Sequence, residues 1–318
     1  MASNIDSIYP ALDDDLFLAA ASEALLSRAI RKDEMPYFHA LLAEHGRAGT
    51  LRAIISCDEF RQKFLSAPFI SRALLDASER AYKETNAPPC ALQAELYPIP
   101  VVVLGHLYYV YDFPPYQSLK WICEELNRDE YGLFSVVLKN SPTIVDVGAH
   151  VGLFSLAART RWPKARIVSF EPFPATYRLL TENIRINDCA NIEAHNLGIS
   201  SDGRRIELYS RLNENSGGTS SWSEVLDSVR AISGNTSRFI DALNDNNIDM
   251  VDLLKIDCEG FEHEILVDDF PFERIKHLAI EIHEGHYLSE MGYSSDILLE
   301  RIQNRLGPDR VSYTIAKI

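Results

Sequence analysis

Two apolar runs near the middle of the sequence end on acids. "IVDVGAHVG" (144–152) carries Asp146 and follows it with Gly148, His150 and Gly152, and "RIVSFE" (166–171) ends on Glu171. Glycines in a turn let backbone press against a ligand, and an acid at a strand tip accepts hydrogen bonds from hydroxyl groups. Further along, "KIDCEGFEHEIL" offers Asp257, Glu259 and His263, and "IEIHEGH" offers Glu281, His283 and His286. Carboxylates and imidazoles gathered together are the groups of acid–base chemistry.

The turn after Asp146 tests what ligand is meant. A pyrophosphate clamp wants G-x-G-x-x-G, but counting from Gly148 places His150 and Leu153 where the second and third glycines belong. A side chain at 150 would crowd a pyrophosphate, so a dinucleotide-dependent dehydrogenase is disfavoured. S-adenosylmethionine carries no phosphate. Its two ribose hydroxyls suit Glu171, while Asp146 and the turn at Gly148 are expected to face the methionine end. Gly152 is expected to let helix and strand pack closely. Methyl transfer is an in-line displacement, largely a matter of holding acceptor against donor. An aliphatic hydroxyl also needs activation, which points to His283 as general base with Asp257 and Glu259 beside it. Glu259 has a competing reading as a helix cap. His263 and Glu264, a turn or so into the next helix, are expected at the surface. No metal-ligand spacing is recognisable, and no metal ligands are assigned.

These residues need elements to bring them together. Strands are expected at 143–147, 166–170, 191–196, 251–257, 277–283 and 310–317, with helices at 152–160, 174–187, 236–246, 261–268 and 294–305. Such alternation predicts an α/β fold with a mostly parallel sheet and helices on both faces. "RRIELYS" (204–210) reads as an extra strand, and the polar "NENSGGTSSW" (213–222) as a substrate lid or an ordinary surface loop. Ligands of such sheets bind beyond the carboxyl ends of the strands, which would place Asp146, Glu171, Asn196, Asp257 and His283 in one crevice.

"IVDVGAHVGLFSL", "VSFEPFPATYRLLTENIRIN", "NLGISS" and "LLKIDCEGFEHEIL" together resemble the successive motifs of the FkbM family of S-adenosylmethionine-dependent methyltransferases. The resemblance covers roughly residues 135–285. It implies a class I, Rossmann-like methyltransferase fold and methyl transfer, usually to a hydroxyl oxygen of glycans, lipids or secondary metabolites. It assigns cofactor contacts to Asp146, Gly148, His150, where many members carry Asn, Gly152 and Glu171. After about 288 no motif matches, and one strand at 310–317 leaves the terminal hairpin of that fold unaccounted for.

Ahead of the sheet, residues 1–90 read as a small helical domain. Asp13 to Asp15 cap a first segment, Pro36 opens a second, and Gly46 and Gly49 punctuate before Thr50 caps a third. Phe60 and Phe64 lie on a fourth. The stretch from Leu25 to Phe64 resembles the small helical domains found beside bacterial glycan-handling enzymes, which tilts the acceptor toward saccharides. Residues 91–134 read as a linker and lead-in: "NAPPCALQAELYPIP" (86–100), then one or two strands in "VVVLGHLYYVYDF", then a helix over "SLKWICEELNRDEYGLFSVVL". Residues 135–318 form the methyltransferase domain.

A net charge of −15, from 31 Lys and Arg against 46 Asp and Glu, would repel a polyphosphate backbone and an anionic membrane. The acidic start lacks the pattern of a signal peptide, and no segment is long and apolar enough to span a bilayer. Five scattered cysteines without C-x-x-C spacing suit reduced thiols in the cytoplasm. The expected activity is O-methylation of a saccharide, glycan or other hydroxylated small molecule. The alternative is an inactive cofactor-binding module that docks a partner through its N-terminal helices. The oligomeric state stays open, a homo-oligomer included.

Overall fold

The computed structural model describes residues 14, 15, 18, 30–56, 69–70, 98–112, 117–211, 215–220 and 232–317. Six strands, all parallel, form the central sheet: β4 (Thr143–Val147), β5 (Arg166–Phe170), β6 (Ile192–His195), β12 (Leu253–Ile256), β13 (Leu278–Glu284) and β14 (Val311–Lys317). Their spatial order is β14-β13-β12-β4-β5-β6. The order reverses between β4 and β12, and that switch point lies where Asp146 and Asp257 end their strands.

The inner strands β4, β5, β12 and β13 bury both faces, which is why they are rich in Val, Ile and Leu, while the edge strands β6 and β14 stay partly exposed. One face carries Ile144, Ile167 and Leu253. It is covered by α2 (Gln117–Asn127), α3 (Leu153–Arg161), α4 (Pro174–Ile186) and a hairpin of β2 (Ile99–Val103) and β3 (His106–Val110). The other face carries Val145, Val147, Leu254 and Ile280. It is covered by α5 (Phe239–Asp245), α6 (Glu262–Ile265) and α8 (Ser295–Leu306). Helix α4 opens on Pro174, whose fixed φ suits a first helical turn. Helix α8 is capped by the Ser294 hydroxyl and stops at Gly307, before Pro308.

The β2–β3 hairpin is stitched to α4 by two amides one helical turn apart. Asn187 accepts from the N–H of Tyr109 and donates to its carbonyl; Asn183 does the same for Tyr111 and also donates to the carbonyl of Val151. Ile99, Val101, Val103, Tyr108 and Val110 thereby join the core that contains Ile144 and Leu156.

Several expected elements differ. One 22-residue helix, α1 (Met35–Ser56), runs through Gly46, Gly49 and Thr50, because an isolated glycine costs a helix only about 1 kcal/mol. Asp14, Asp15 and Leu18 are helical; the segment at Phe60 and Phe64 and most of the 86–100 linker lie outside the described residues. Residues 69–70 form a short strand, β1 (Phe69–Ile70), paired with β2. The helix expected through 138 ends at Asn127. There Arg128 to Gly132 turn, and Asp129 and Gly132 take positive φ. Residues 236–238 are strand β11 (Thr236–Arg238), paired with β7 (Gly198–Ser200), and the helix begins only at Phe239. Only Glu262–Ile265 of the stretch 261–268 is helical. The expected strand at 204–210 is β8 (Ile206–Arg211), which pairs with β9 (Asn215–Ser220) and β10 (Ile232–Gly234). Residues 215–220 are therefore a strand rather than a loose lid, and they run beside α2. Strand β14 stands parallel beside β13, at the sheet edge where the family's terminal hairpin was expected. No helix among the described residues is long and apolar enough to cross a membrane.

Candidate active site

The site grows out of a polar row set into one face of the sheet. Register places Ser169 beside Asp146 and Asp146 beside Lys255, on three adjacent strands. Ser155 from α3 donates to Asp146 Oδ2 at 2.6 Å and meets the Ser169 hydroxyl at 2.8 Å. Lys255 Nζ donates to the carbonyl of Gly148 at 2.7 Å. It lies 3.4 Å from Asp146 Oδ1 and 3.3 Å from Asp257 Oδ2, with the Tyr131 ring 5.6 Å away. Burial alone would lower the lysine's affinity for its proton, but Asp257 and then Asp146 hold it above its ordinary value. Lys255 thus ties the tips of β4 and β12 together. Sequence reading missed it, although one lysine inside "VDLLKID" is a departure from an otherwise apolar strand.

Asp146 has none of its surface exposed. It was expected to face the methionine end of a cofactor; instead it is sealed beneath the turn, because its strand position points it into the sheet face where Lys255 and Ser155 engage it. The turn above is built on left-handed backbone, with φ of +75° at Gly148, +50° at His150 and +89° at Gly152. A Cβ on Gly148 would lie 1.8 Å from the carbonyl oxygen of Asp257, so only glycine lets the two loops approach. A Cβ on Gly152 would lie 2.4 Å from Leu180 Cδ1, so the close packing there is between α3 and α4 rather than helix and strand.

Glu171 follows β5 directly. One carboxylate oxygen accepts from the His150 N–H and the other from the Phe173 N–H, both at 2.9 Å. Each oxygen keeps lone-pair capacity for one hydroxyl, so the residue fits a vicinal diol such as a ribose. Burial pushes its carboxyl up to about 7. Asn196 donates to the carbonyls of Glu171 and Pro172 and so braces the turn that presents Glu171.

On the other side of β4 the tips of β12 and β13 gather a second group. Asp257 Oδ2 accepts from Tyr131 Oη at 3.1 Å. His283 is 3% exposed; its Nδ1 lies 2.9 Å from Glu262 Oε1, which also accepts the His283 N–H at 2.5 Å, and its Nε2 lies 3.7 Å from Glu259 Oε2. Against the effect of burial, Glu262, then Glu259 and Asp257, hold the imidazole well above its ordinary pKa. That environment favours the protonated ring, so charge acts against the neutral base expected of His283. Burial pushes the carboxyls of Glu259 and Glu125 to about 7 and that of Glu281 to about 9, with Asp257 adding to each. Glu259 sits at φ +52° beside Gly260 and caps no helix; Glu262 takes the Gly260 N–H instead. His263, expected at the surface, is buried with Nε2 2.8 Å from the His283 carbonyl, because α6 is a single turn pressed on the sheet. His286 is exposed beside Glu290 and stays outside the site.

A six-stranded parallel sheet with helices on both faces, a glycine turn after its first strand and a buried acid after its second define a class I, Rossmann-like methyltransferase. The model of the FkbM methyltransferase domain matches residues 146–305, and the chain belongs to that family, with S-adenosylmethionine as methyl donor. Methyltransferase sdnD of Sordaria araneosa is 30% identical over 177 residues, which cover 46% of this chain and 68% of that protein. The 31-O-demethyl-FK506 methyltransferase FkbM of Streptomyces tacrolimicus is 27% identical over 177 residues, covering 47% and 68% respectively. A crystal structure of methyltransferase FkbM from Methylobacillus flagellatus is similar at a TM-score of 0.37 and 19% identity, covering 55% of this chain and 40% of that one.

Proposed function

We propose that the chain methylates a hydroxyl oxygen of a saccharide, glycan or other hydroxylated small molecule. The carrying observation is the group of Asp257, Glu259 and His283, gathered beyond β12 and β13 on the far side of β4 from Glu171. In this reading Glu171 receives the ribose hydroxyls, and Gly148, His150 and Gly152 shape the turn against the ligand. Asp146 and Asn196 act from behind, through Lys255 and the Glu171 turn. When bound, the cofactor supplies an electrophilic methyl group: the acceptor oxygen forms the new O–C bond as the S–C bond breaks and its electron pair returns to sulfur.

The hydroxyl proton has to go to the protein. Glu259 is suited to take it, since a carboxyl near 7 can give and receive protons at working pH. Asp257 and His283 then hold the acceptor side in place. A relative named for methylating 31-O-demethyl-FK506 supports oxygen as the receiving atom. A pure binding module would have no use for this group of buried acids around an imidazole. Free thiols at Cys123, Cys189 and Cys258 support a reducing cytoplasm as the place of action.

The test is transfer of labelled methyl from S-adenosylmethionine into metabolite and glycan extracts, read by mass spectrometry. The reading expects products heavier by one methylene unit whose new methyl is acid-stable and ether-linked. Label found only on nitrogen or carbon would overturn the hydroxyl assignment. Cofactor binding without any transfer would favour the binding module.

A further inference from the structure

We propose that Asp257, Glu281 and His283 bind a divalent cation of the Mg²⁺ or Mn²⁺ class on the acceptor side of the crevice. One ligand atom from each residue lies within 4.8 Å of the other two. Donors on opposite sides of one ion, with bonds of about 2.1–2.4 Å, stand roughly 4.2–4.8 Å apart, so one ion can reach all three. The backbone produces this arrangement directly. Ile256 is in register with Ile280, which brings Asp257 beside Glu281 at the next step, and His283 falls two residues on along the same face of β13.

The second observation is how His283 is held. Glu262, which has no exposed surface, takes the Nδ1 side at 2.9 Å and the backbone N–H of the same residue. That leaves Nε2, 3.7 Å from Glu259 Oε2 in a side chain that is almost wholly buried, as the atom for the ion, which takes the place of the proton there. A buried carboxylate behind an imidazole is the usual support of a metal-binding histidine. Asp257 is arranged alike: Lys255 and Tyr131 both engage Oδ2, which leaves Oδ1 for the cation. The pocket is also rich in oxygen donors, since Glu125, Glu259 and Glu262 stand around Asp257, Glu281 and His283. A hard cation suits two carboxylates and one imidazole, and it would hold an acceptor oxygen and favour its alkoxide. This role rests on the methyltransferase reading, but the binding itself does not.

The test is titration of the full chain with Mn²⁺ in the presence of S-adenosylhomocysteine, followed by electron paramagnetic resonance and calorimetry. One Mn²⁺ per chain is expected, with affinity falling at least tenfold in Glu281→Gln and in His283→Gln while S-adenosylhomocysteine still binds. In the unaltered protein, substoichiometric Mn²⁺ should broaden the imidazole resonances of His283 and spare those of His106 and His286. This second readout decides the matter if the variants fail to fold. No bound Mn²⁺, equal binding in both variants, or broadening that spares His283 would each overturn the cation site. Failure of S-adenosylhomocysteine to bind would instead overturn the methyltransferase reading.

Discussion

Glu171 closes the turn at His150 and Phe173, and in the proposed function it also receives the hydroxyls of the cofactor. Charge-assisted hydrogen bonds are worth about 1.5–3 kcal/mol at most, so Glu171→Ala should weaken S-adenosylhomocysteine at least tenfold in calorimetry. The melt should stay cooperative; an unchanged affinity would return Glu171 to a local role in the turn. Its carboxyl, lifted from 4.5 to about 7, also sets opposite pH trends for fold and ligand. Between those values the folded chain binds more protons at this residue than the unfolded one, so its contribution to stability falls as pH rises through the window. Binding needs the carboxylate, so affinity for S-adenosylhomocysteine should fall as pH drops below about 7. Lys255 is the other residue on which the site depends. Lys255→Met leaves Asp146 and Asp257 without their buried cation, which should cost about 3–5 kcal/mol in denaturant unfolding. A loss under about 1 kcal/mol, the scale of a surface pair, would mean that the acids were already neutral.

At the scale of elements, the β2–β3 hairpin is held by side-chain amides where a neighbouring strand would otherwise sit. Asn183→Ala orphans the peptide groups of Tyr111 and the carbonyl of Val151, and unsatisfied buried groups cost about 1–3 kcal/mol. Thermal melts should show that loss, with Asn187→Ala acting in the same direction. An unchanged melting temperature would mean that packing alone holds the hairpin. Neither asparagine announces such a role in the sequence, since each reads as a polar residue on a helix. The inner sheet strands were legible because each carries a short apolar run, and the edge strands because they fall at the same alternating spacing. The acids at their tips were legible because topology alone brings strand ends together. Lys255 and Glu262 were not, because their partners Asp146 and His283 are distant in sequence and meet only through register and a one-turn helix. The unbroken α1 and strand β9 were misread for a common reason. Glycine and serine weaken local preference: α1 carries the small cost of its glycines, and β9 is fixed by its pairing with β8.

For the whole molecule, the core that carries the site reaches back, among the described residues, to Ile99, well before the first motif. A chain beginning at residue 95 keeps the hairpin, α2 and both sheet faces, so it should fold and bind S-adenosylhomocysteine. One beginning at 135 strips α2 and the hairpin from a sheet face that must be buried, and it should aggregate or melt without cooperativity. If the longer form also fails, the N-terminal helices complete the core rather than form a separate unit. The central claim, a cofactor crevice at the ends of β4 and β5 built for a nucleoside with no pyrophosphate, meets its most direct test in calorimetric titration of the unaltered chain. S-adenosylhomocysteine and NAD would be titrated side by side. The account predicts one S-adenosylhomocysteine per chain and no measurable heat from NAD; tighter binding of NAD, or no binding of S-adenosylhomocysteine, would contradict it.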